Sequence, residues 1–124
     1  MKKNAGWLWI NKMGQAWIDK NPKSIPPLFA EKFQYYETPF EKPLTSKKEL
    51  INLWQDVPES QKDVLFDFEI ISEKNNQYIA HWYASFIRKS TGKKTYLDGI
   101  FLVALNQKGL CTLFKQWWVN NENK

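Results

Sequence analysis

Residues 96–118 read YLDGIFLVALNQKGLCTLFKQWW, and this stretch decides the fold. Two apolar runs are hinged on Asn106-Gln107-Lys108-Gly109, a turn composition. The first run is oily at both parities: Leu97, Phe101, Val103 and Leu105 alternate with Ile100, Leu102 and Ala104. An antiparallel strand usually keeps one wet face. These strands want cover on both faces. Helices can supply one layer, and a second copy of the chain the other.

Upstream, the same period of two continues. Val64, Phe66, Phe68 and Ile70 alternate with Leu65, Asp67 and Glu69. After a turn over Glu73–Asn76, Tyr78–Arg88 forms the next strand, with Tyr78, Ala80, Trp82, Ala84 and Phe86 on one face. Ser90-Thr91-Gly92 turns the chain into Tyr96–Leu105, and Leu110–Trp118 completes a four-strand meander. Earlier still, the period is helical. Trp9, Ile10, Met13, Ala16 and Trp17 mark a helix over 5–21, ended by Asn21-Pro22 and slightly weakened by Gly14. Ser24 and Pro26 start a short second helix with Leu28, Phe29 and Ala30 on its apolar side, and Phe33–Glu37 runs extended. Ser46-x-x-Glu49 is a capping box ahead of Leu50, Ile51 and Trp54, and Asp56-Val57-Pro58 closes that third helix. Helices first and an antiparallel sheet after is the α+β pattern.

Composition narrows the function classes. At 124 residues the chain reads as one domain over 1–124, with an ordered core of about 7–119 and a polar, frayed tail over 120–124. Cys111 is the only cysteine and His81 the only histidine, which rules out an internal disulfide and disfavours a zinc site. We expect no metal and no cofactor. The run Ala5–Ile10 behind Lys2 and Lys3 is too short for a signal peptide, and no stretch approaches a membrane span. The expected setting is cytoplasmic, with no membrane partner. The net charge of +5 comes from 17 scattered lysines and the single Arg88, where base readers favour arginine. A nucleic-acid partner is therefore not expected.

Several segments taken in order carry a family likeness: AWIDKNPKSIPPLFAEKFQYYETPF, LINLWQDV, IAHWYASF and the 96–118 hairpin. Together they resemble a SnoaL-like member of the nuclear transport factor 2-like superfamily. The resemblance implies a cone in which N-terminal helices pack over a strongly curved antiparallel sheet, with a pocket between them. It also implies homodimers through the sheet's outer face. The fold hosts isomerases, cyclases, dehydratases and plain binders, so it does not choose among them.

Two titratable residues are catalytic candidates. Asp98 sits in an apolar run, where desolvation raises a carboxyl pKa and suits it to proton transfer. In the ketosteroid isomerase relatives the strand acid falls where this chain has Phe101. Asp98 is three residues away, on the opposite strand face, so an outer-surface or interface role stands beside the catalytic one. His81 titrates near neutrality, but no nucleophile motif accompanies it. Cys111 reads as a small buried hydrophobe.

The aromatic residues are the other signal, at 16% of the chain. Paired Trp117 and Trp118 must point to opposite faces. If the final turn centres on Gln107-Lys108, Asp98 lies opposite Trp117, and Trp118 joins Gln116, Phe114 and Phe101 on the other side. The expected ligand-facing set is Trp17, Tyr35, Trp54, Trp82, Phe101, Gln116 and Trp118. Core and dimer packing are the competing role for these rings. Three functions follow: binding a small apolar or aromatic molecule in a cone-shaped pocket; proton transfer on a carbonyl-containing small molecule by an isomerase, cyclase or dehydratase; or a non-catalytic protein-interaction module.

Overall fold

The structure is a computed structural model and describes residues 4–122. Lys2 and Lys3, weighed above as part of a leader, lie outside the described residues, as do the last two residues of the polar tail. The elements run α1 (Ala5–Ile18), two 3-10 turns (Pro22–Ser24 and Pro26–Leu28), β1 (Phe29–Tyr36), α2 (Lys47–Ser60), β2 (Gln61–Lys74), β3 (Gln77–Arg88), β4 (Lys94–Leu105) and β5 (Cys111–Glu122). The architecture is α+β: N-terminal helices with a five-stranded, mostly antiparallel sheet ordered β1-β5-β4-β3-β2.

Asn4 caps α1, its side chain accepting from the Trp7 N–H at 2.7 Å. Trp9, Ile10, Met13, Ala16 and Trp17 are buried as their spacing predicts. The helix stops at Ile18, short of residue 21, and Lys20 takes a left-handed φ of 53°. Gly14 is more than a weak helix former. A Cβ there would overlap the Phe66 ring, and one at Gly6 would overlap Tyr78, so both glycines let α1 lie close against the sheet.

The short second helix is the main departure from the sequence reading. Only Pro26–Leu28 turns, while Phe29 and Ala30 already belong to β1. Two consecutive prolines leave too few N–H groups to build a helix there. β1 pairs with β5 in parallel, with Tyr35 beside Phe114 and Tyr36 beside Lys115. The meander therefore gains a fifth strand that no local period announces. In α2 the capping box forms as expected, with Ser46 and Glu49 satisfying each other's backbone N–H. The helix runs through Pro58 to Ser60, because proline in the last turn forfeits only one bond.

The hairpin of β4 and β5 carries the organising register. Asp98 pairs with Val119, Ile100 with Trp117 and Phe101 with Gln116. The expected partner of Asp98 was Trp117, two residues away. The connection over residues 106–110 is longer than a tight turn, and an irregularity between Ala104 and Leu105 shifts the ladder again. A shift of two keeps every side chain on its face. Asn120–Glu122 continue β5 rather than fraying.

The inner face is the core. Trp82, Phe101, Val103 and Phe114 are at most 2% exposed there, under α1 and α2. The outer face carries most of the exposed large apolar side chains of the described residues, including Leu65, Ile79, Tyr83, Trp117 and Val119. No helix of the described residues is long and apolar enough to cross a membrane.

Candidate functional site

Between the helices and the inner face lies a cavity of about 180 Å³. α1 contributes Met13 and Trp17 to its wall; α2 contributes Leu53, Trp54 and Val57; β3, β4 and β5 contribute Trp82, Phe101, Phe114, Gln116 and Trp118. All seven residues named as ligand-facing from sequence border this space, Tyr35 among them. The same rings also pack on one another. Trp82 stacks on Phe101 at 4.8 Å and 12°, Tyr35 stacks on Phe114 at 4.7 Å and 11°, and Trp17 meets Trp54 edge-on at 5.8 Å. Core and cavity wall are one structure. The back of each ring fills the core and its front bounds the space.

One end of the cavity is polar. Glu37, one residue past β1, receives a hydrogen bond from Gln116 Nε2 to its Oε2 at 3.0 Å. Its backbone carbonyl accepts from Trp118 Nε1 at 3.2 Å. Burial holds the Glu37 carboxyl above the usual carboxylate range, with the charge of Glu41 adding to the effect. Burial, then the charge of Glu37, pushes the neighbouring Tyr35 phenol well above its ordinary value. Gln61, Asp56 and Arg88 complete the rim, and Gln61 accepts from Trp17 Nε1 at 2.8 Å. Two buried indole N–H groups on the wall, of Trp54 and Trp82, find no acceptor among the described residues. The Trp54 indole lies beside the Tyr35 phenol without reaching hydrogen-bond geometry.

Sequence reasoning missed Glu37. The acid follows an extended aromatic pair in Tyr35-Tyr36-Glu37-Thr38-Pro39. Its position at the cavity depends on the parallel β1–β5 pairing, which brings it to Gln116.

Asp98 and His81 lie elsewhere. Both project from the outer face, across the sheet from the cavity, and neither borders it. His81 Nε2 meets Asp98 Oδ1 at 2.8 Å and Nδ1 faces Glu69 Oε1 at 3.4 Å. The hydrogen bond that the ring donates to the Asp98 carboxylate is the largest reason the imidazole pKa is raised. Cys111 is buried, donates to the Leu113 carbonyl at 3.3 Å, and has its thiol pushed up to about 12 by burial. Among the described residues no group of three or more His, Cys, Asp or Glu is placed to hold a metal ion.

No protein-family profile matches the chain, and no curated protein matches it in sequence. Solved structures do match it in shape. RV0760c from Mycobacterium tuberculosis superposes with a TM-score of 0.81 at 12% identity, over 99% of both chains. The epoxide hydrolase/cyclase-like enzyme SalBIII, from pyran ring formation in the polyether salinomycin, gives 0.78 at 7% identity, over 90% of this chain and 88% of its own. A computationally designed 17-OHP binder gives 0.78 at 14% identity, over 98% of this chain and all of its own. The architecture is therefore the nuclear transport factor 2-like, SnoaL-like fold.

Proposed function

We propose that this protein binds a flat, largely apolar small molecule of about one ring in the cavity between its helices and sheet. The observation that carries the reading is a space of about 180 Å³ walled by aromatic rings, with one half-buried carboxyl, Glu37, at its polar end. Size sets the ligand class. Cavities that take drug-sized ligands run from roughly 300 to 1,000 Å³, whereas an engineered apolar cavity of about 150 Å³ takes benzene. The polar end built by Glu37 and Gln116 favours a ligand that carries one polar group on an otherwise apolar ring. The shared fold of a designed small-molecule binder and a cyclase-like enzyme agrees with such a use. Isothermal titration against one-ring aromatic aldehydes, ketones and phenols tests it. Saturable heat from at least one of these polar-substituted rings is expected. No saturable binding by any one-ring compound would overturn it.

Proton transfer is the second reading, and one observation favours it. Glu37 carries a raised pKa beside an apolar wall, which suits a general acid or base. Asp98 and His81, on the other side of the sheet, give up that role in this reading. Glu37→Gln would abolish solvent deuterium exchange at the carbon next to a bound ligand's carbonyl. Unchanged exchange would remove Glu37 from the chemistry.

The outer face fits a second copy of the chain. Exposed Leu65, Tyr83, Trp117 and Val119 lie on this one face. A cytoplasmic setting suits the free, buried Cys111.

A further inference from the structure

The polar end of the cavity accepts hydrogen bonds and leans negative. Glu37 is half-buried there and makes no ion pair among the described residues. The charge that acts on it is a second carboxylate, that of Glu41. An ionised carboxyl has about four acceptor positions. Gln116 Nε2 takes one at 3.0 Å and the Tyr35 phenol lies against the group, so acceptor capacity remains. Because a carboxylate only accepts, Gln116 must turn its NH2 toward Glu37. Its own Oε1 then has no partner among the described residues, on a wall side chain only 8% exposed. Trp118 is tied into the same corner by its bond to the Glu37 carbonyl. Around the whole cavity two carboxylates, Glu37 and Asp56, stand against one cation, Arg88, on a chain whose net charge is +5. Arg88 lies over the Phe86 ring at 5.4 Å. Its strand is two removed from that of Gln116, about 10 Å at the usual strand spacing, and its charge does not offset the shift at Glu37.

We propose that the ligand of this cavity is a cation, a one-ring primary amine whose ammonium sits at Glu37, Gln116 and Trp118 while its ring fills the aromatic cup. The inference rests on the small-molecule reading above and adds the sign of the ligand's charge. An ammonium has three N–H donors and no acceptor. That matches a corner offering the Glu37 carboxylate and the Gln116 Oε1. Hydrogen bonds between charged partners are roughly twice as strong as neutral ones. Indole also attracts a cation more strongly than the other aromatic side chains do, and Trp17, Trp54 and Trp82 join Trp118 around this space. A neutral ring would leave the carboxylate desolvated with no counter-charge, and an anion would meet Glu37, Glu41 and Asp56. The Glu37 shift agrees, since burial and Glu41 both disfavour its charge and a bound ammonium would favour it again.

Isothermal titration of the full chain with benzylamine, benzyl alcohol and benzoate, three rings of similar size and different charge, tests the proposal. The titrations are run at about pH 8, above the usual carboxylate range and below that of an ammonium. Benzylamine should bind at least about tenfold more tightly than benzyl alcohol, the worth of one hydrogen bond to a charged group, and benzoate should bind weakest. Glu37→Gln, checked for folding by circular dichroism, should bind the amine and the alcohol alike. Equal affinity for amine and alcohol on the natural chain, or tighter binding of benzoate, would overturn the charge assignment and leave the small-molecule reading standing. No saturable binding of benzylamine would overturn it too; if the aldehydes, ketones and phenols fail as well, the small-molecule reading falls with it. An amine preference that survives in folded Glu37→Gln would also overturn the proposal, by placing the ammonium elsewhere. The comparison of the three compounds on the natural chain needs no variant, so it decides the matter even if Glu37→Gln does not fold.

Discussion

Trp82→Ala examines the claim that core and cavity wall are the same rings. Trp82 is 2% exposed, stacks on Phe101 at 4.8 Å and touches Trp17 at 5.8 Å. Removing such a ring from a packed interior costs about 3–5 kcal/mol, the loss being transfer energy plus the cavity left behind. A chain of 124 residues has an unfolding entropy of about 260 cal/mol/K near its midpoint, at roughly 2.1 cal/mol/K per residue. The midpoint should therefore fall by about 12 to 19 °C. Scanning calorimetry reads this directly, with urea unfolding as the check that the slope is unchanged. The variant should also bind two-ring ligands more tightly than the natural protein does. A loss of under about 1 kcal/mol would refute the packing argument, because it would mean that the ring bounds a space without supporting the core.

Other outcomes follow from individual contacts. Gly99→Ala would drive a Cβ into the backbone carbonyl of Trp117 on the neighbouring strand, with Trp82 close behind. Backbone cannot yield as a flexible side chain does, so denaturant melts should show a loss at or above the usual 1–3 kcal/mol of overpacking. Glu37→Gln should flatten the pH profile of stability. A carboxyl raised by burial binds its proton more tightly folded than unfolded, so it contributes stability below its unfolded pKa that is lost as pH rises through the folded value. Urea melts from pH 4 to 8 would show the wild type losing stability with pH relative to the variant; parallel profiles would contradict it. Ser46→Ala removes the α2 cap and should cost about 1 kcal/mol in the same melts. Trp117→Glu places a charge on the outer face and should make the protein monomeric by light scattering without lowering its midpoint by more than a few degrees.

Much of the fold was legible because its signals are local. The alternation in Tyr78–Phe86 and Leu97–Leu105 assigned faces that the pairing of Ala80 with Phe101 and Phe101 with Gln116 reproduces. Strand parity needs no knowledge of partners, which is why the faces survived a register error of two. What stayed hidden was non-local. β1 is short, follows prolines, and finds its partner β5 some eighty residues away, so its identity as a strand depends on the assembled sheet. Glu37 inherits that obscurity. Its sequence neighbourhood reads as a loop acid, and only the parallel pairing delivers it to Gln116 and Trp118. The His81–Asp98 contact was hidden for a similar reason: each residue was recognisable, but their meeting across β3 and β4 depends on the ladder.

The central claim is that a one-ring ligand sits inside the aromatic cup. The seven tryptophans each give an indole N–H signal in a nitrogen-15 correlation spectrum, and they divide cleanly by position. Trp17, Trp54, Trp82 and Trp118 border the cavity, whereas Trp117 lies on the outer face and Trp7 and Trp9 are not part of the wall. Titrating an aromatic aldehyde should move the first four signals along a common saturation curve, through the ring current of the bound molecule. If the shifts instead concentrated on Trp117, with the cavity signals still, the ligand would be on the outer face and the account would be wrong.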